Sequence, residues 1–180
     1  MEELKLYEGR PADCTGRLEK EIRTYDLLDK LDIPFRRVDH VHADTMEMCQ
    51  EIDQALGQDI CKNLFLCNRQ KTKFYLLLMP GDKPFKTKDL SAQIGSSRLS
   101  FGGAEDMERL LNLTPGSVTV LGLMYDPDCQ VTLLIDQDLY QQSAFGCHPC
   151  INTSTVQFST ADFREKLLPA LGHPVTLVQL

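Results

Sequence analysis

The chain has 180 residues, 42% hydrophobic and 25% charged, a composition typical of one globular domain. No apolar run reaches the ~20 residues that a membrane-spanning helix needs, and the charged N-terminus lacks the apolar core of a secretion signal. We therefore expect a cytoplasmic protein without a membrane partner. The formal net charge of −7, taken alone, argues against DNA or any other nucleic-acid partner.

The charge is unevenly distributed along the chain. Between residues 62 and 98, eight Lys and Arg residues face only two Asp residues, so this segment carries +6 and the remainder −13. A basic segment on an acidic protein can bind phosphate, because the local field is set by nearby charges. The alternative is a solvated hairpin with lysines along its edge. Composition does not decide between these two interpretations.

Hydrophobic periodicity predicts the elements of the first third of the chain. Residues 1–17 are expected to form an N-terminal extension, and residues 18–180 the domain. A helix is predicted over residues 18–31 and a short strand in FRRVDHV. A second helix is predicted to begin at Asp44, with Glu47 at capping-box spacing, and to end at Gly57.

The rest of the chain mixes strands and helices. Strands NLFLCN and KFYLLLMP flank a polar turn, and Thr87 is predicted to cap a short helix that Gly95 ends. A strand in RLSF and a helix in AEDMERLLNL follow, and VTVLGLM and VTLLID are expected to form a hairpin around DPDC. Strand TVQFS, a helix over residues 161–171 capped by Ser159 or Thr160, and strand VTLVQL complete the chain. Without regular βαβ alternation, this order indicates an α+β fold with a mixed, largely antiparallel central sheet and flanking helices.

Seven cysteines are spread over the chain, an odd number that is unusual for a secreted disulfide scaffold. In a reducing compartment, most are expected to act as small buried apolar residues. This interpretation covers Cys14, Cys49, Cys61, Cys67 and Cys129.

The stretch Cys147-His148-Pro149-Cys150 allows three interpretations. A redox pair normally opens a helix, but the following INTST segment is a poor helix start. A zinc site needs about four ligands, and only one C-x-x-C pair is present. In the third interpretation the cysteines pack, while Pro149 holds His148 in an extended conformation where it makes functional hydrogen bonds. A purely structural, hydrogen-bonded His148 is the alternative to that third interpretation.

Three ordered segments resemble the YbaK and prolyl-tRNA synthetase-associated editing-domain family, over roughly residues 18 to 172. They are CKNLFLCNRQKTKFYLLLMPGDKPFKTKDL, RLSFGGAEDMERLLNLTPGSVTVLGL and FGCHPCINTSTVQFSTADFREKLL. The family includes freestanding trans-editing deacylases of alanyl-tRNA(Pro). The resemblance places the family lysine at Lys62, the glycine loop at Gly116 and the His-Pro-x-x-Asn-Thr stretch at His148 to Thr153.

The resemblance implies hydrolysis of a mischarged aminoacyl-tRNA, most readily Ala-tRNA(Pro), assisted by a tRNA ribose hydroxyl, with no cofactor and no metal. Lys62, Gly116 and His148 are the expected catalytic residues. An ammonium can stabilise developing negative charge, and glycine lets the main chain approach the substrate closely. The expected partners are the aminoacylated acceptor end of tRNA and, in transient contact, prolyl-tRNA synthetase.

Two further groups of residues are expected at the substrate and at the tRNA. Those expected at the substrate are Ser97, Arg98, Val120, Asn152 and Thr153. Those expected at the tRNA are Lys83, Lys86 and Lys88. Val120 stands where the family loop G-x-x-x-P commonly has proline, which favours a rival hypothesis of a non-catalytic module that binds aminoacyl-tRNA or an amino acid. A dithiol redox protein is the second rival.

Overall fold

The computed structural model describes residues 3–180, which fold into two β-sheets with helices packed around them. Five strand pairs are antiparallel and two are parallel, which confirms the predicted α+β class with a largely antiparallel arrangement. The strands are β1 (Leu6–Glu8), β2 (Arg36–Asp39), β3 (Lys62–Cys67), β4 (Phe74–Met79), β5 (Ser100–Phe101), β6 (Val131–Asp136), β7 (Ala144–Cys147), β8 (Ser154–Ser159) and β9 (Val175–Val178).

Six α-helical elements surround the sheets, and none of them within residues 3–180 is long and apolar enough to cross a membrane. They are α1 (Glu19–Lys30), α2 (Met46–Leu56), α3 (Thr87–Ile94), α4 (Ala104–Leu111), α5 (Thr160–Asp162) and α6 (Leu168–Leu171). A π-helical turn, Phe163–Leu167, joins α5 and α6 into one segment, which Ser159 caps by accepting a hydrogen bond from the Asp162 N–H. The predicted C-terminal helix and its cap are therefore confirmed.

The smaller sheet has the strand order β1-β2-β8-β7 and is antiparallel throughout. Its edge strand β1 belongs to the predicted N-terminal extension and pairs with β2, where Leu6 lies opposite Val38. The boundary placed after residue 17 stays a prediction. Strand β7 was not predicted, because AFGC offers only four residues before Pro149 and shows no clear alternation.

The larger sheet has the strand order β5-β3-β4-β6-β9. Strands β3 and β4 form the predicted hairpin, and side chains alternate between its two faces. On β3, Phe65 and Cys67 point into the main core, whereas Leu64 and Leu66 pack in a second cluster that includes Leu90 of α3. This alternation decides which β3 side chains reach the candidate site.

The hairpin predicted from VTVLGLM and VTLLID is wrong. Residues Val120–Tyr125 form a 3₁₀-helix, and β6 pairs in parallel with β4 and β9. Residues 119–123 of the first segment are buried, and a continuous apolar run does not distinguish a strand from a buried helix. Gly122 also lies against Leu113, where a Cβ would come within 2.6 Å of a methyl carbon, so this tight packing requires glycine.

Two predicted N-caps are displaced by one residue, and both predicted C-terminal glycines are confirmed. Helix α2 is capped by Thr45, whose hydroxyl accepts from the Met48 N–H, and not by Asp44. Lys86 precedes α3, so Thr87 is its first helical residue and not its cap. Gly57 and Gly95 end these helices with φ of 70° and 65°, the left-handed conformation that glycine adopts at low cost.

The cysteine prediction holds for part of the set. Cys61 and Cys67 are buried and Cys14 is half-buried, but Cys49 and Cys129 are exposed, so the prediction was wrong for these two. Cys49 lies on the outward face of α2, and Cys129 follows the Asp126–Pro127 turn that leads into β6. The burial tendency of cysteine is an average over many proteins, whereas the position of each cysteine in the fold decides whether it is buried.

Candidate active site

A cavity of about 210 Å³ lies where the start of β3 meets the end of β7 and the loop before the 3₁₀-helix. This volume is below the about 300–1,000 Å³ of pockets for drug-sized ligands, so the cavity suits one small group. Its walls combine two apolar side chains, two thiols, an amide, a glycine and an imidazole. The lining residues are Ile60, Cys61, Asn63, Gly116, Val118, Cys147 and His148.

His148 enters the cavity in a defined tautomer. Its Nδ1 lies 2.9 Å from the carbonyl oxygen of Ser154, which can only accept, so Nδ1 carries the hydrogen. Burial lowers the pKa of His148 from its ordinary value of about 6.5, so the ring is neutral at pH 7. The lone pair is therefore on Nε2, and the ring can accept a proton or a hydrogen bond there.

A second histidine, His40, lies next to His148. The Nε2 of His40 lies 2.9 Å from Thr155 Oγ1, its Nδ1 donates to the carbonyl of Val41, and the His40 and His148 ring centroids are 6.0 Å apart. Burial is the main cause that lowers the pKa of His40. Because Thr155 Oγ1 is also 3.5 Å from His148 Nδ1, the hydroxyl links the two rings. A positive charge on His40 would repel one on His148, which adds to the effect of burial in lowering the pKa of His148.

The glycine loop is held by contacts distant in sequence. Gly116 has a φ of +89°, and a Cβ there would lie 2.9 Å from the side-chain nitrogen of Asn152. Asn152 donates to Asp44 Oδ1 at 3.0 Å and accepts from the Ala43 N–H at 3.1 Å. Asn152 therefore ties the segment that leads into α2 to the glycine loop. It does not line the cavity, so its predicted contact with substrate stays a prediction.

Val120 holds a cavity residue through its backbone. The Val120 N–H donates to Asn63 Oδ1 at 3.1 Å, while the Asn63 side-chain nitrogen faces the carbonyl and the sulfur of Cys61. Proline has no N–H and could not make the first bond. Valine at this position therefore fixes the amide of Asn63 at the cavity wall in a way that the common family residue cannot.

The buried thiols of Cys61, Cys147 and Cys150 are neutral. Burial raises the pKa of Cys61 to about 12 and of Cys150 to about 11, and raises the pKa of Cys147 well above its ordinary value. Cys147 ends a strand and Cys150 lies in a turn with a φ of 63°, so neither sits at the helix N-terminus that activates a redox pair. Within residues 3–180 no three His, Cys, Asp or Glu side chains are grouped for metal binding.

Lys62 lies between two cavity residues in the chain but points away from the cavity. Alternation along β3 turns its side chain from the face of Cys61 and Asn63 toward the opposite face. Its ammonium donates to the carbonyl oxygen of Lys83. The structure thus brings together Gly116 and His148 of the three expected catalytic residues. The catalytic role of Lys62 stays a prediction.

The other predicted residues are dispersed. Ser97 and Arg98 precede β5, at the opposite end of β3 from the cavity, and Ser97 Oγ accepts from the Arg69 N–H at 3.3 Å. Thr153 lines a separate polar cleft of about 740 Å³, together with Asn152 and Asp44.

The three lysines expected at tRNA differ in their surroundings. Lys83 is engaged inside the protein, within 2.9 Å of Asp136 and 2.6 Å of Asp138. Lys86 and Lys88 are exposed at the start of α3. Contact with tRNA stays a prediction for all three.

Sequence reasoning missed Asn63 and His40. Strand alternation gave one usable signal for Asn63. Cys61 and Asn63, on either side of Lys62 in the chain, share one face, and Lys62 lies on the other. The interaction of His40 with Thr155 spans 115 residues, and that of Val120 with Asn63 spans 57. No local sequence pattern predicts contacts between residues so far apart in the chain.

Comparison with known proteins places the chain in a family. The Aminoacyl-tRNA editing domain pattern matches residues 40–166. The chain is 32% identical over 153 residues to "Prolyl-tRNA editing protein ProX" of Acetoanaerobium sticklandii, which covers 85% of this chain and 93% of that protein. It is 28% identical over 171 residues to "Prolyl-tRNA synthetase associated domain-containing protein 1" of Danio rerio, covering 94% and 91%.

The fold is shared with solved structures. A crystal structure described as a candidate trans-editing enzyme for prolyl tRNA synthetase superposes with a TM-score of 0.64 at 16% identity, covering 91% of this chain and 98% of that one. The crystal structure of hypothetical protein APE2540 gives 0.62 at 18% identity, covering 86% and 96%. The sequence matches confirm the resemblance drawn from the three motifs. This chain belongs to the aminoacyl-tRNA editing domain family.

Proposed function

We propose that this protein hydrolyses the ester bond of mischarged tRNA(Pro), and that alanine is the amino acid it removes most readily. The observation that carries the proposal is a small cavity lined by both Gly116 and His148 in a chain of the editing family. Its volume of about 210 Å³ accepts the aminoacyl group, while the nucleotide remains outside.

The reaction is the addition of water to the ester carbonyl. The bond between the carbonyl carbon and the ribose oxygen breaks, the ribose oxygen takes a proton, and the products are a free amino acid and tRNA with its terminal hydroxyl restored. Nε2 of neutral His148 accepts a hydrogen bond from the attacking water or from the neighbouring ribose hydroxyl. Main chain at Gly116 approaches the carbonyl oxygen, where negative charge develops.

Selectivity follows from the size and chemistry of the wall. Ile60, Val118 and the neutral thiols of Cys61 and Cys147 offer an apolar surface for a methyl group. The Asn63 amide is fixed at this wall by the Val120 N–H and does not adapt to a larger ring. A pocket gains only ~1–3 kcal/mol from each additional carbon, but a side chain that does not fit is rejected by steric clash.

The test is a deacylation panel with alanyl-, cysteinyl- and prolyl-tRNA(Pro). We expect hydrolysis of alanyl-tRNA(Pro) in preference to the other two, and a large loss of rate in His148→Ala. The deacylation rates of Lys62→Ala and Lys30→Ala are compared, because both variants remove one positive charge. Lys30 lies at the exposed end of α1, so a loss of rate in Lys62→Ala alone would come from the position of Lys62 and not from the change in net charge. Absence of hydrolysis by the wild-type protein on all three substrates contradicts the proposal.

One observation favours a second candidate, a module that binds charged tRNA without turnover. The Lys62 ammonium is held by the Lys83 carbonyl, on the face opposite the cavity. In that case the panel yields tight, saturable binding of alanyl-tRNA(Pro) with no release of alanine, and His148→Ala lowers affinity.

A further inference from the structure

An exposed phenylalanine lies on strand β5, which pairs with the end of β3 farther from the cavity. Phe101 on edge strand β5 is 63% exposed, whereas most aromatic rings of the protein are buried. The Phe85 ring supports it edge-on, with the ring centroids 6.2 Å apart. An aromatic ring that is fixed in position and exposed to water is typical of a surface that binds a partner.

Two cation-rich segments approach the strand that carries this ring. In one, the β3–β4 turn reaches the segment before β5, where the Arg69 N–H donates to Ser97 Oγ at 3.3 Å. In the other, Phe85 leads directly into the start of α3. The two segments 69–73 and 86–101 contain six cations and one carboxylate, Asp89. The cations are Arg69, Lys71, Lys73, Lys86, Lys88 and Arg98. Within residues 3–180 the ion pairs involve other cations.

The ring is on the same face of the sheet as Lys62. Phe101 pairs with Leu66, so both side chains share a face, and alternation along β3 places Lys62 on it as well. Four residues of strand separate Lys62 from Leu66, about 13 Å at ~3.3 Å per residue. At a duplex rise of ~3.4 Å per nucleotide this equals about four stacked nucleotides. The cavity lies on the other face of β3, so a strand whose last nucleotide is at the cavity reaches the ring around the edge of β3, where β5 pairs with Leu66 and Cys67.

We propose that Phe101, supported by Phe85 and flanked by these cations, is a stacking platform for an unpaired base upstream of the aminoacylated nucleotide. The base stacks on the ring, and the lysines and arginines contact the phosphates on either side. Lys62 lies on the same face of β3 as the platform, where its ammonium donates to the Lys83 carbonyl. This inference rests on the proposed function, because it places the last nucleotide at the cavity. It also assigns phosphate binding to the basic segment of residues 62–98, a function that composition alone did not decide.

The experiment measures binding of uncharged tRNA(Pro), and of the same tRNA without its unpaired 3′ nucleotides, by fluorescence anisotropy at one fixed low salt concentration. Phe101→Ala is expected to weaken binding of the intact tRNA by about five-fold to about a hundred-fold, the range for loss of one stacked base, and to leave the truncated tRNA unaffected. Phe101→Trp and Phe101→Tyr are expected to retain affinity, because each keeps an aromatic face. Leu177→Ala is the matched control, since Leu177 is 52% exposed on β9 at the opposite edge of the same sheet.

The platform is wrong if Phe101→Ala binds intact tRNA as well as Leu177→Ala does. It is also wrong if Phe101→Ala weakens both RNAs equally, or if Phe101→Trp and Phe101→Tyr bind no better than Phe101→Ala. Unchanged affinity for both RNAs is the result expected if the ring instead serves a protein partner. Alanine release by the wild-type protein is measured separately. Hydrolysis with normal binding by Phe101→Ala rejects the platform alone, whereas Phe101-dependent binding without hydrolysis rejects the proposed activity alone.

Discussion

The backbone at Gly116 is the residue-scale feature on which the glycine loop depends. Its φ of +89° is costly for any residue with a Cβ, and that Cβ would also press on Asn152 at 2.9 Å. We expect Gly116→Ala to lower the free energy of unfolding by ~1–3 kcal/mol. The displaced loop should reduce the deacylation rate on the order of a hundredfold, because small errors of position at a reacting centre cost that much.

Gly95→Ala is the matched control for Gly116→Ala. Gly95 also has a positive φ, 65°, but it ends α3 in open space, with no atom within 4 Å of an added Cβ. It should lose stability through backbone strain and keep the deacylation rate. Thermal unfolding and single-turnover deacylation measure the two effects separately. Equal activity in both glycine variants would show that the Gly116 loop is not part of the reacting centre.

The paired histidines predict how stability changes with pH. Burial lowers the pKa of both His40 and His148 in the folded protein, so the unfolded chain binds more protons as the pH falls below about 6.5. The free energy of unfolding should therefore decrease with falling pH, by up to ~1.4 kcal/mol per pH unit for each ring, until the folded rings also become protonated.

Denaturant titrations between pH 7 and pH 5 measure this dependence. His148→Gln should reduce the slope relative to wild type, because one buried titrating ring is removed. His42→Gln is the control for loss of an exposed imidazole; because the charge of His42 also lowers the pKa of His40, it should reduce the slope by less than His148→Gln does. Identical slopes in wild type and His148→Gln would mean that the folded ring takes up its proton as readily as the unfolded one.

At the scale of elements, local sequence signals predicted where helices and strands lie in the chain better than they predicted which elements pack or pair together. The β3–β4 hairpin was predicted because both strands and their turn are contiguous in the chain. The segment Val120–Tyr125 was assigned wrongly because its burial comes from Leu113 and the rest of the main core, not from a pattern of its own. Parallel pairing of β6 with β4 joins residues more than 50 positions apart, and sequence periodicity carries no information on such pairing.

The start of the 3₁₀-helix provides a prediction at this scale. Val120→Pro restores the common family residue but removes the N–H that holds Asn63 Oδ1. The unpaired amide should cost ~1–3 kcal/mol of stability, and Asn63 should become free to turn at the cavity wall. We expect the preference for alanyl- over cysteinyl-tRNA(Pro) to weaken in this variant.

Val120→Ile is the control, because it keeps the N–H with a side chain of similar shape. Unfolding free energies and the ratio of deacylation rates on the two substrates are the measurements. If Val120→Pro matched Val120→Ile in both, the Asn63 contact would have no influence on the cavity.

At the scale of the molecule, the sequence motifs predicted which loops form the candidate site but not which way each side chain points. Gly116 and His148 lie at one cavity, as the order of motifs implied. Lys62 is turned to the opposite face by strand register, which one residue of shift would reverse. The hydrogen bond from Asn152 to Asp44 spans 108 residues and forms once β2 and β8 pair in the smaller sheet.

The surroundings of the lysines distinguish Lys83, which is paired inside the fold, from Lys86 and Lys88, which are exposed. The Lys83 ammonium contacts Asp136, Asp138 and the Leu180 carbonyl, and the Asp136 side chain is fully buried. Lys83→Ala should lower the free energy of unfolding by about 3 kcal/mol, the lower end for a broken buried ion pair because Lys83 is partly exposed to water. It should leave the salt dependence of tRNA binding by the folded protein unchanged.

Lys88→Ala should have the opposite effects. Lys88 is exposed on α3, so stability should change by less than ~0.5 kcal/mol. The slope of log affinity against log salt concentration should fall by ~0.7–0.9, the value for one lost phosphate contact. Binding titrations at several salt concentrations, paired with denaturant unfolding, test both variants. A smaller salt slope in Lys83→Ala without loss of stability would instead place Lys83 at the RNA, because an ammonium needed by Asp136 cannot be removed without cost to the fold.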